Sequence, residues 1–457
     1  MSRSLWAQTP LVQRLAFVAE FRRRVIRAEK ELCDAVRQDV GKERFECITG
    51  DLAPLLASCR WVEHNAKRLL GTRTLSAPPF WMRGTKVREV REPLGRVAII
   101  ATWNYPLQLL GIQLMQALAA GNTVAVKPSE LSPRSQTMLL EIANACNLPE
   151  GTLTWTGPQR EEGARLLAGE RFDHVVFTGS TPVGKRIASN LANSLSCCTL
   201  ELSGRDSAIV LHDADPKLAA ASIWAAVCMN AGQSCIAPRR ALVHAAVYDE
   251  FCAHLSLLAR KTQPRTLIDH AAAEHCSALV RDAIESGGRD AAGPPAGSPV
   301  AAGSFPPPVG AMMRPTAVLD CPRDSALVDG RHFGPAIAVV RVEDVNEAIE
   351  LHIRCDQHLA TSIFTAKPSR AAKLVPQLGV TSVTINDCII PTAHPEVSIG
   401  GRGDSGMGLS RGAQGLLDMT RPVFVSTSKG LARKSLSPPP AFVVGLIARS
   451  LRWIYGR

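Results

Sequence analysis

Short apolar runs alternate with longer segments of helical period up to about Leu211, and this alternation constrains the fold more than any other feature. The runs read TVAVK, TLTWTG, HVVFTG and SAIVL, and helix-like segments such as SPRSQTMLLEIANAC lie between them. This is the pattern of a parallel sheet whose strands are joined by crossover helices. A second stretch of the same kind follows from about Asp213. The sequence therefore predicts an α/β fold.

The segments before the first run have different periods. Apolar residues recur at three- and four-residue steps from Leu11 to Val40, which predicts amphipathic helices. Two β runs, Lys86 to Arg91 and Arg96 to Thr102, are separated by a Pro-Leu-Gly turn. We expect these two runs to form a hairpin.

Composition bounds the function classes. The 457 residues, 46% of them hydrophobic, are enough for two or three domains. The net charge of +11 is spread along the chain without a nucleic-acid reader motif, so we expect no nucleic-acid partner. Thirteen scattered cysteines without CxxC spacing or an export signal predict free thiols, no metal site and a cytoplasmic protein.

The tail after Ser426 has its own character. Its apolar run, AFVVGLIARSLRWIYGR, is too short to span a bilayer. A helix there would set three arginines beside two aromatic side chains: Arg449, Arg452, Arg457, Trp453 and Tyr455. Such helices bind membrane surfaces, so we expect either peripheral membrane contact or docking on the protein's own surface.

Three side chains are candidates for catalysis. Cys235 lies among small residues in VCMNAGQSCIAPRR, where a substrate can approach a nucleophile, although a cysteine in such a segment is more often a buried packing residue. Glu201, between apolar residues in TLELSGRD, suits a general base with a raised pKa, or an ion-pair partner. Asn104 in ATWNYP could donate to an oxyanion, or simply form the turn before Pro106.

A fourth segment, HVVFTGSTPVGK, reads as a strand, a glycine-containing turn and a helix. Such a turn offers backbone amides to a dinucleotide pyrophosphate. No glycine lies between Gly179 and Gly184, so the segment departs from GxGxxG and also fits an ordinary strand-to-helix connection.

Taken together, these segments resemble the aldehyde dehydrogenase superfamily. The stretches TWNYP, VAVKPSELSP, FTGSTPVGK, ELSGRD, NAGQSC, HFGP and IGGRGDSGMG follow the family's order, and the short N-terminus resembles its class 3 branch for fatty and aromatic aldehydes. The resemblance implies that Cys235 attacks the aldehyde, that Asn104 and the Cys235 backbone N–H hold the oxyanion, and that Glu201 activates the water that hydrolyses the thioester. It implies a Rossmann-type dinucleotide-binding domain (1–85 and 106–207), a catalytic domain (208–385), a β oligomerisation element (86–105 and 386–425), a separate tail (426–457) and a homodimer.

The resemblance also implies a cofactor, NAD with NADP as an alternative. The matching cofactor-binding positions are Trp103, Lys127, Ser129, Glu130, Thr178, Gly179, Ser180, Val183, Leu202 and Phe333. Because a carboxylate on the adenine ribose repels a 2′-phosphate, Glu130 favours NAD.

The sequence departs from the family at the nicotinamide ribose. Arg331 stands where the family has the Glu of ExFGP, which removes an acceptor of ribose hydroxyls unless Asp329 replaces it. Ser203 replaces a glycine and adds a Cβ near the nicotinamide. We weigh two alternatives to an aldehyde-oxidising dehydrogenase. One is a reductive relative that converts an acyl group to an aldehyde, and the other is a non-catalytic scaffold protein. An intact Glu201 argues against the first.

Overall fold

The computed structural model describes residues 4–76, 78–79, 82, 84–293, 305–428 and 439–456. Its α-helices are α1 (Leu5–Gln8), α2 (Leu11–Arg27), α3 (Glu29–Val40), α4 (Arg44–Cys47), α5 (Ala53–Leu70), α6 (Pro106–Ala120), α7 (Pro133–Asn144), α8 (Arg160–Gly169), α9 (Thr181–Ala192), α10 (Pro216–Cys228), α11 (Ala245–Lys261), α12 (His270–Glu285), α13 (Val345–Ile353), α14 (Pro368–Leu378), α15 (Gly412–Asp418) and α16 (Ala441–Tyr455). The predicted N-terminal helices are confirmed as α2 and α3.

The strands are β1 (Arg73–Thr74), β2 (Thr85–Pro93), β3 (Arg96–Ile100), β4 (Thr123–Lys127), β5 (Leu153–Trp155), β6 (His174–Thr178), β7 (Cys197–Glu201), β8 (Ser207–Val210), β9 (Arg240–His244), β10 (Arg265–Thr266), β11 (Arg289–Asp290), β12 (Met312–Met313), β13 (Thr316–Leu319), β14 (Ala336–Val342), β15 (Gln357–His358), β16 (Ala360–Phe364), β17 (Ser382–Ile385), β18 (Arg402–Gly403), β19 (Gly406–Met407) and β20 (Thr420–Ser428). Two large sheets contain most of the longer ones.

The first large sheet has the order β19-β7-β6-β3-β4-β5, and every neighbouring pair is parallel except β19 with β7. Side chains of β3 point alternately to two separate cores: Val97 and Ile99 pack with the N-terminal helices, and Ala98 and Ile100 face the other layer. Because both faces are covered, the four residues that follow Arg96 in this strand are apolar, as the sequence predicts.

The second large sheet has the order β11-β13-β14-β9-β8-β16-β17, parallel except at the β11–β13 edge. It too lies between two apolar layers. The predicted α/β fold with two successive parallel-sheet regions is therefore confirmed.

The predicted hairpin between Lys86–Arg91 and Arg96–Thr102 is wrong. Strand β2 belongs to a three-stranded sheet of order β1-β2-β20. Strand β3 is hydrogen-bonded on both sides, by β4 and β6, so it has no free edge for β2. The Pro-Leu-Gly turn thus separates two sheets.

The chain divides into two compact units. One comprises Met1–Leu70 and Glu92–Arg421 and contains both large sheets. The other comprises Gly71–Arg91 and Pro422–Arg457 and contains α16. Among the helices that the structure describes, none has the length and apolar character needed to cross a bilayer.

Candidate active site

Cys235 follows a strained turn. Helix α10 runs into a short 3₁₀ turn, in which Asn230 and Ala231 have φ of 49° and 54° and Gly232 has 71°. This left-handed region is unfavourable for residues with a Cβ. A Cβ on Gly232 would lie 2.3 Å from the carbonyl oxygen of Gly334, so only glycine fits there. The turn leads the chain to a half-buried Cys235.

Arg239 holds this turn in place by hydrogen bonds. Its side chain is 1% exposed, and it donates hydrogen bonds to the carbonyl oxygens of Gly232 (2.9 Å), Ser234 (2.8 Å) and Gly334 (3.2 Å). A guanidinium has five donors in a rigid plane and can therefore hold several carbonyls at once. Sequence reasoning missed this residue. The only signal was an arginine four positions after the cysteine.

Asn104 lies against the same loop. It is 4% exposed, and its Nδ2 donates to the carbonyl oxygen of Gln233 at 3.1 Å. Its own carbonyl oxygen accepts from the side chains of Lys42 and Asn230, both at 2.9 Å. An amide has two N–H donors, and the bond to Gln233 uses one of them.

A buried ion pair supports Asn104. Lys42 Nζ lies 2.6 Å from Asp51, which belongs to a π-helical segment, Ile48–Leu52. Asp51 also accepts the backbone N–H groups of Leu107 and Gln108 at the start of α6. A carboxylate there satisfies helix donors that have no partner within the helix. This support was not predicted from the sequence.

Glu201 is the last residue of β7 and is 4% exposed. Burial raises its pKa to about 7, while the positive charge of Arg411 and a hydrogen bond from Gln113 act in the opposite direction. The Ser410 hydroxyl donates to its Oε1 atom. The direction of this shift agrees with the sequence prediction, and a carboxyl that titrates near neutrality can exchange protons at physiological pH.

Cys235 and Glu201 line one cavity of about 720 Å³. Apolar side chains form most of its wall: Phe45, Pro54, Tyr105, Leu109, Ala225, Met229, Ile236, Ile389, Ile390, Ala393 and Ile399. Burial, with the negative charges of Glu201 and Asp206, raises the pKa of Cys235 to about 12. The thiol is therefore protonated at neutral pH unless a nearby positive charge lowers its pKa.

A second cavity, of about 1010 Å³, lies at the carboxyl ends of β3, β4 and β6. Strands β4 and β6 lie on opposite sides of β3, so the strand order reverses at this point of the sheet. Ligands of α/β proteins commonly bind at such a switch point. Eight of the predicted cofactor residues line it: Trp103, Lys127, Ser129, Glu130, Thr178, Gly179, Ser180 and Val183.

The other two predicted cofactor residues lie apart from this lining. The ring of Phe333 meets that of Trp103 edge to face, with centroids 5.8 Å apart, and so borders the same region. Leu202 is 3% exposed and packs against Gly184 of α9. Its side chain is part of the core.

The departures from the family pattern have different surroundings. Arg331 is exposed, and its carbonyl oxygen contacts Nε2 of His275 at 2.8 Å. The backbone at Gly204 comes close to Cys235, since a Cβ there would lie 2.7 Å from the Cys235 carbonyl oxygen. That residue is still glycine, so the Cβ of Ser203 does not obstruct this contact.

No group of three His, Cys, Asp or Glu side chains in the described part of the chain could hold a metal ion.

Comparisons with known proteins point to one family. The model of the aldehyde dehydrogenase family matches residues 2–425. A 4,4'-diapolycopene aldehyde oxidase from Methylomonas sp is 32% identical over 443 residues, which cover 95% of this chain and 80% of that protein. A 4,4'-diaponeurosporen-aldehyde dehydrogenase from Staphylococcus aureus is 28% identical, with 84% and 82% covered. The crystal structure of a Mycobacterium tuberculosis aldehyde dehydrogenase complexed with NAD+ matches with a TM-score of 0.84 at 26% identity and covers 94% of this chain and 88% of that one.

Proposed function

Since this chain belongs to the aldehyde dehydrogenase family and is an oxidoreductase that acts on aldehydes, we propose that it oxidises a hydrophobic aldehyde through a thioester on Cys235. The observation that carries the proposal is that Cys235 and Glu201 line the same cavity. A nucleophile and a base on one cavity are what acyl transfer to water requires.

The first step is addition of the thiol to the aldehyde. The sulfur of Cys235 bonds to the carbonyl carbon, the thiol proton passes to solvent water, and the carbonyl oxygen becomes negative. Asn104 is held beside the loop by its bond to Gln233, and its second N–H donates to this oxygen together with the Cys235 backbone N–H. These donors are fixed before the reaction, so they need little reorganisation when charge develops.

Oxidation and hydrolysis follow. An NAD held by the second cavity, which Lys127, Glu130 and Gly179 line, would supply the hydride acceptor for this oxidation, and loss of hydride from the carbon gives the thioester on Cys235. Glu201 then accepts a proton from water as the water attacks the thioester carbonyl. The carbon–sulfur bond breaks, the thiol is restored, and the product leaves as a carboxylate.

The second cavity fits an NAD cofactor. It contains the turn before α9, where a Cβ on Gly179 would lie 2.5 Å from the Phe177 ring. Glycine at this position therefore lets the turn pack against the Phe177 ring, and the turn leads into a helix N-terminus of the kind that binds phosphate groups. Lys127 and Glu130, 2.7 Å apart, line the part where the family binds the adenine ribose.

The substrate is proposed from the cavity wall and from the relatives. The wall is mainly aliphatic and aromatic, which favours long apolar aldehydes over short polar ones. Two relatives are named for polyene aldehydes. A long polyene or aliphatic aldehyde is therefore the first substrate class to test. Membership of the class 3 branch and the homodimer stay predictions from the resemblance.

The helix α16 fits contact with a lipid surface. None of its residues is buried, and large apolar side chains such as Phe442 (76% exposed) and Trp453 (72%) face solvent beside Arg449 and Arg452. Apolar residues enter the lipid interface, and arginines bind anionic headgroups. Such contact would bring the enzyme to aldehydes dissolved in a membrane. Residues 429–438 and Arg457 of the predicted tail lie outside the described residues.

The test is formation of NADH and NADPH by the purified protein with a long polyene, a medium-chain and an aromatic aldehyde. We expect turnover in the wild type and in Cys197→Ala, which changes an exposed cysteine, and none in Cys235→Ala. Absence of both turnover and nucleotide binding would instead favour the scaffold alternative, for which the exposed Arg331 is the supporting feature. Reduction of an acyl thioester without aldehyde oxidation would favour the reductive alternative.

A further inference from the structure

Arg411 is a buried cation without a hydrogen-bonded side-chain partner. Its residue is 4% exposed, and its Nε and Nη2 atoms have no hydrogen-bond partner among the described residues. It nevertheless lines the cavity that contains Cys235 and Glu201. Buried guanidinium groups normally donate several hydrogen bonds, as Arg239 does to three carbonyl oxygens, because an unsatisfied buried charge is costly. An exception of this kind needs a functional explanation.

The backbone at Arg411 is held in a conformation that other residues avoid. Its φ of 66° and ψ of 172° lie in a region occupied almost solely by glycine. Gln116, buried in α6, clamps the turn: its Oε1 accepts from Arg411 N at 3.2 Å, and its Nε2 donates to the carbonyl oxygen of Gly412 at 3.0 Å. This strained turn therefore sets the position from which the Arg411 side chain extends.

The turn also joins Arg411 to Glu201. Ser410, immediately before Arg411, donates its hydroxyl to Glu201 Oε1. The charged or titratable groups that act on Glu201 are Arg411 and, across the cavity, Cys235; Gln113 and Ser410 are neutral donors. The positive charge of Arg411 lowers the pKa of Glu201 and opposes the larger effect of burial.

We propose that Arg411 is a positioning residue whose free guanidinium stabilises the negative charge of Glu201 and so keeps this carboxylate available to accept a proton from water. The inference rests on the proposed role of Glu201 as the base. Three glutamates line the cavity, Glu43, Glu46 and Glu201, and of these Glu201 is the one whose charge acts on Arg411. Glu201 is therefore a better partner for the cation than a carboxylate on the substrate.

The experiment compares Arg411→Met and Arg411→Lys over the pH range of turnover. We expect Met, which removes the charge, to move the acidic limb of the kcat profile upward by about one pH unit, the effect of one nearby opposite charge. Turnover below that limb then falls about 10-fold, and turnover at high pH is retained. Lys should restore most of the wild-type profile. Arg265→Met is the matched control, because Arg265 lines the same cavity but is 43% exposed and lies 3.9 Å from Glu46.

A second readout needs no turnover. The infrared carboxyl band that is absent from Glu201→Gln is assigned to Glu201. The pH midpoint at which this band titrates should rise in Arg411→Met but not in Arg265→Met. If the dehydrogenase activity proposed above fails, this shift still supports the electrostatic link. If Arg411→Met does not fold, Arg411→Gln carries the same expectation.

An unchanged infrared midpoint in a folded charge-removing variant would overturn the inference. So would an unchanged acidic limb together with a raised KM for an aldehyde that carries a carboxylate, because Arg411 would then be a substrate anchor.

Discussion

Replacing Glu201 by Gln should make the protein more stable and much less active, and both effects can be estimated from the site. Burial raises the pKa of this carboxyl from its ordinary value of 4.5 to about 7. At about 1.4 kcal/mol per pH unit, the ionised side chain then costs the folded state about 3 kcal/mol. Gln has the same shape, keeps an oxygen for the Ser410 hydroxyl and never ionises.

The sign of the effect sets its pH dependence. Below pH 4.5 Glu201 is protonated in both the folded and the unfolded chain, so its burial as an acid carries no ionisation cost. Between pH 4.5 and 7 the unfolded chain releases the proton first, and the wild type loses stability. Above pH 7 the loss is complete and constant. The stability difference between Glu201→Gln and the wild type should therefore grow across this window and stay at its maximum at pH 8.

Catalysis should change in the opposite sense. Loss of a general base typically slows the assisted step about 100- to 10,000-fold. Hydride transfer precedes that step, so Glu201→Gln should release one NADH per active site in a rapid burst and then turn over slowly. Stopped-flow absorbance measures the burst, and mass spectrometry of the quenched enzyme detects the acylated Cys235.

Unfolding curves at pH 5 and pH 8 check the stability estimate. Glu343→Gln, the same substitution at a side chain that is 74% exposed, is the matched control and should show no pH-dependent gain. Equal stability differences at the two pH values would refute the raised pKa. Turnover within about 10-fold of the wild type, without an accumulated thioester, would refute the assignment of Glu201 as the base.

Three further outcomes are expected. Asn104→Ala should lower kcat/KM for aldehydes about 100- to 1,000-fold, the usual cost of one oxyanion donor, in steady-state assays; a loss below about 5-fold would remove Asn104 from that role. Arg331→Glu restores the family's acceptor of ribose hydroxyls and should tighten NAD binding in calorimetric titrations; unchanged affinity would mean that the site compensates for Arg331. Arg160 lies 3.5 Å from Glu130, so Arg160→Ala should leave that carboxylate less neutralised and lower the ratio of NADP to NAD activity; a higher ratio would contradict this explanation.

The sequence predicted those parts of the fold whose signal is local. A strand covered on both faces is apolar through its centre, and β3, β4 and β6 each contain a continuous apolar run that distinguishes them from the helices between them. Pairing is not local. The segment before Gly95 reads as the first arm of a hairpin, but its partners are β1 and β20, and β20 is more than 300 residues away. No short-range pattern contains that information.

The candidate site divides in the same way. Cys235, Glu201 and Asn104 were found because each lies in a stretch with a recognisable order of residues. Arg239 and Arg411 were not, because a buried arginine and an exposed one look alike in a sequence. Their importance depends on what lies opposite them, which only the folded chain determines.

Arg239 and Gln116 perform the same physical task at two places. Each is a fully buried polar side chain that bonds backbone groups of a turn in which non-glycine residues adopt positive φ. One turn carries Cys235 and the other carries Arg411. Each strained residue costs about 1–3 kcal/mol, a cost that persists only where neighbouring structure enforces it. The bonds from Arg239 and Gln116 supply that enforcement, so loosening either one should move a reactive group before it unfolds the protein. Activity should therefore be more sensitive than stability to substitutions at both buried side chains.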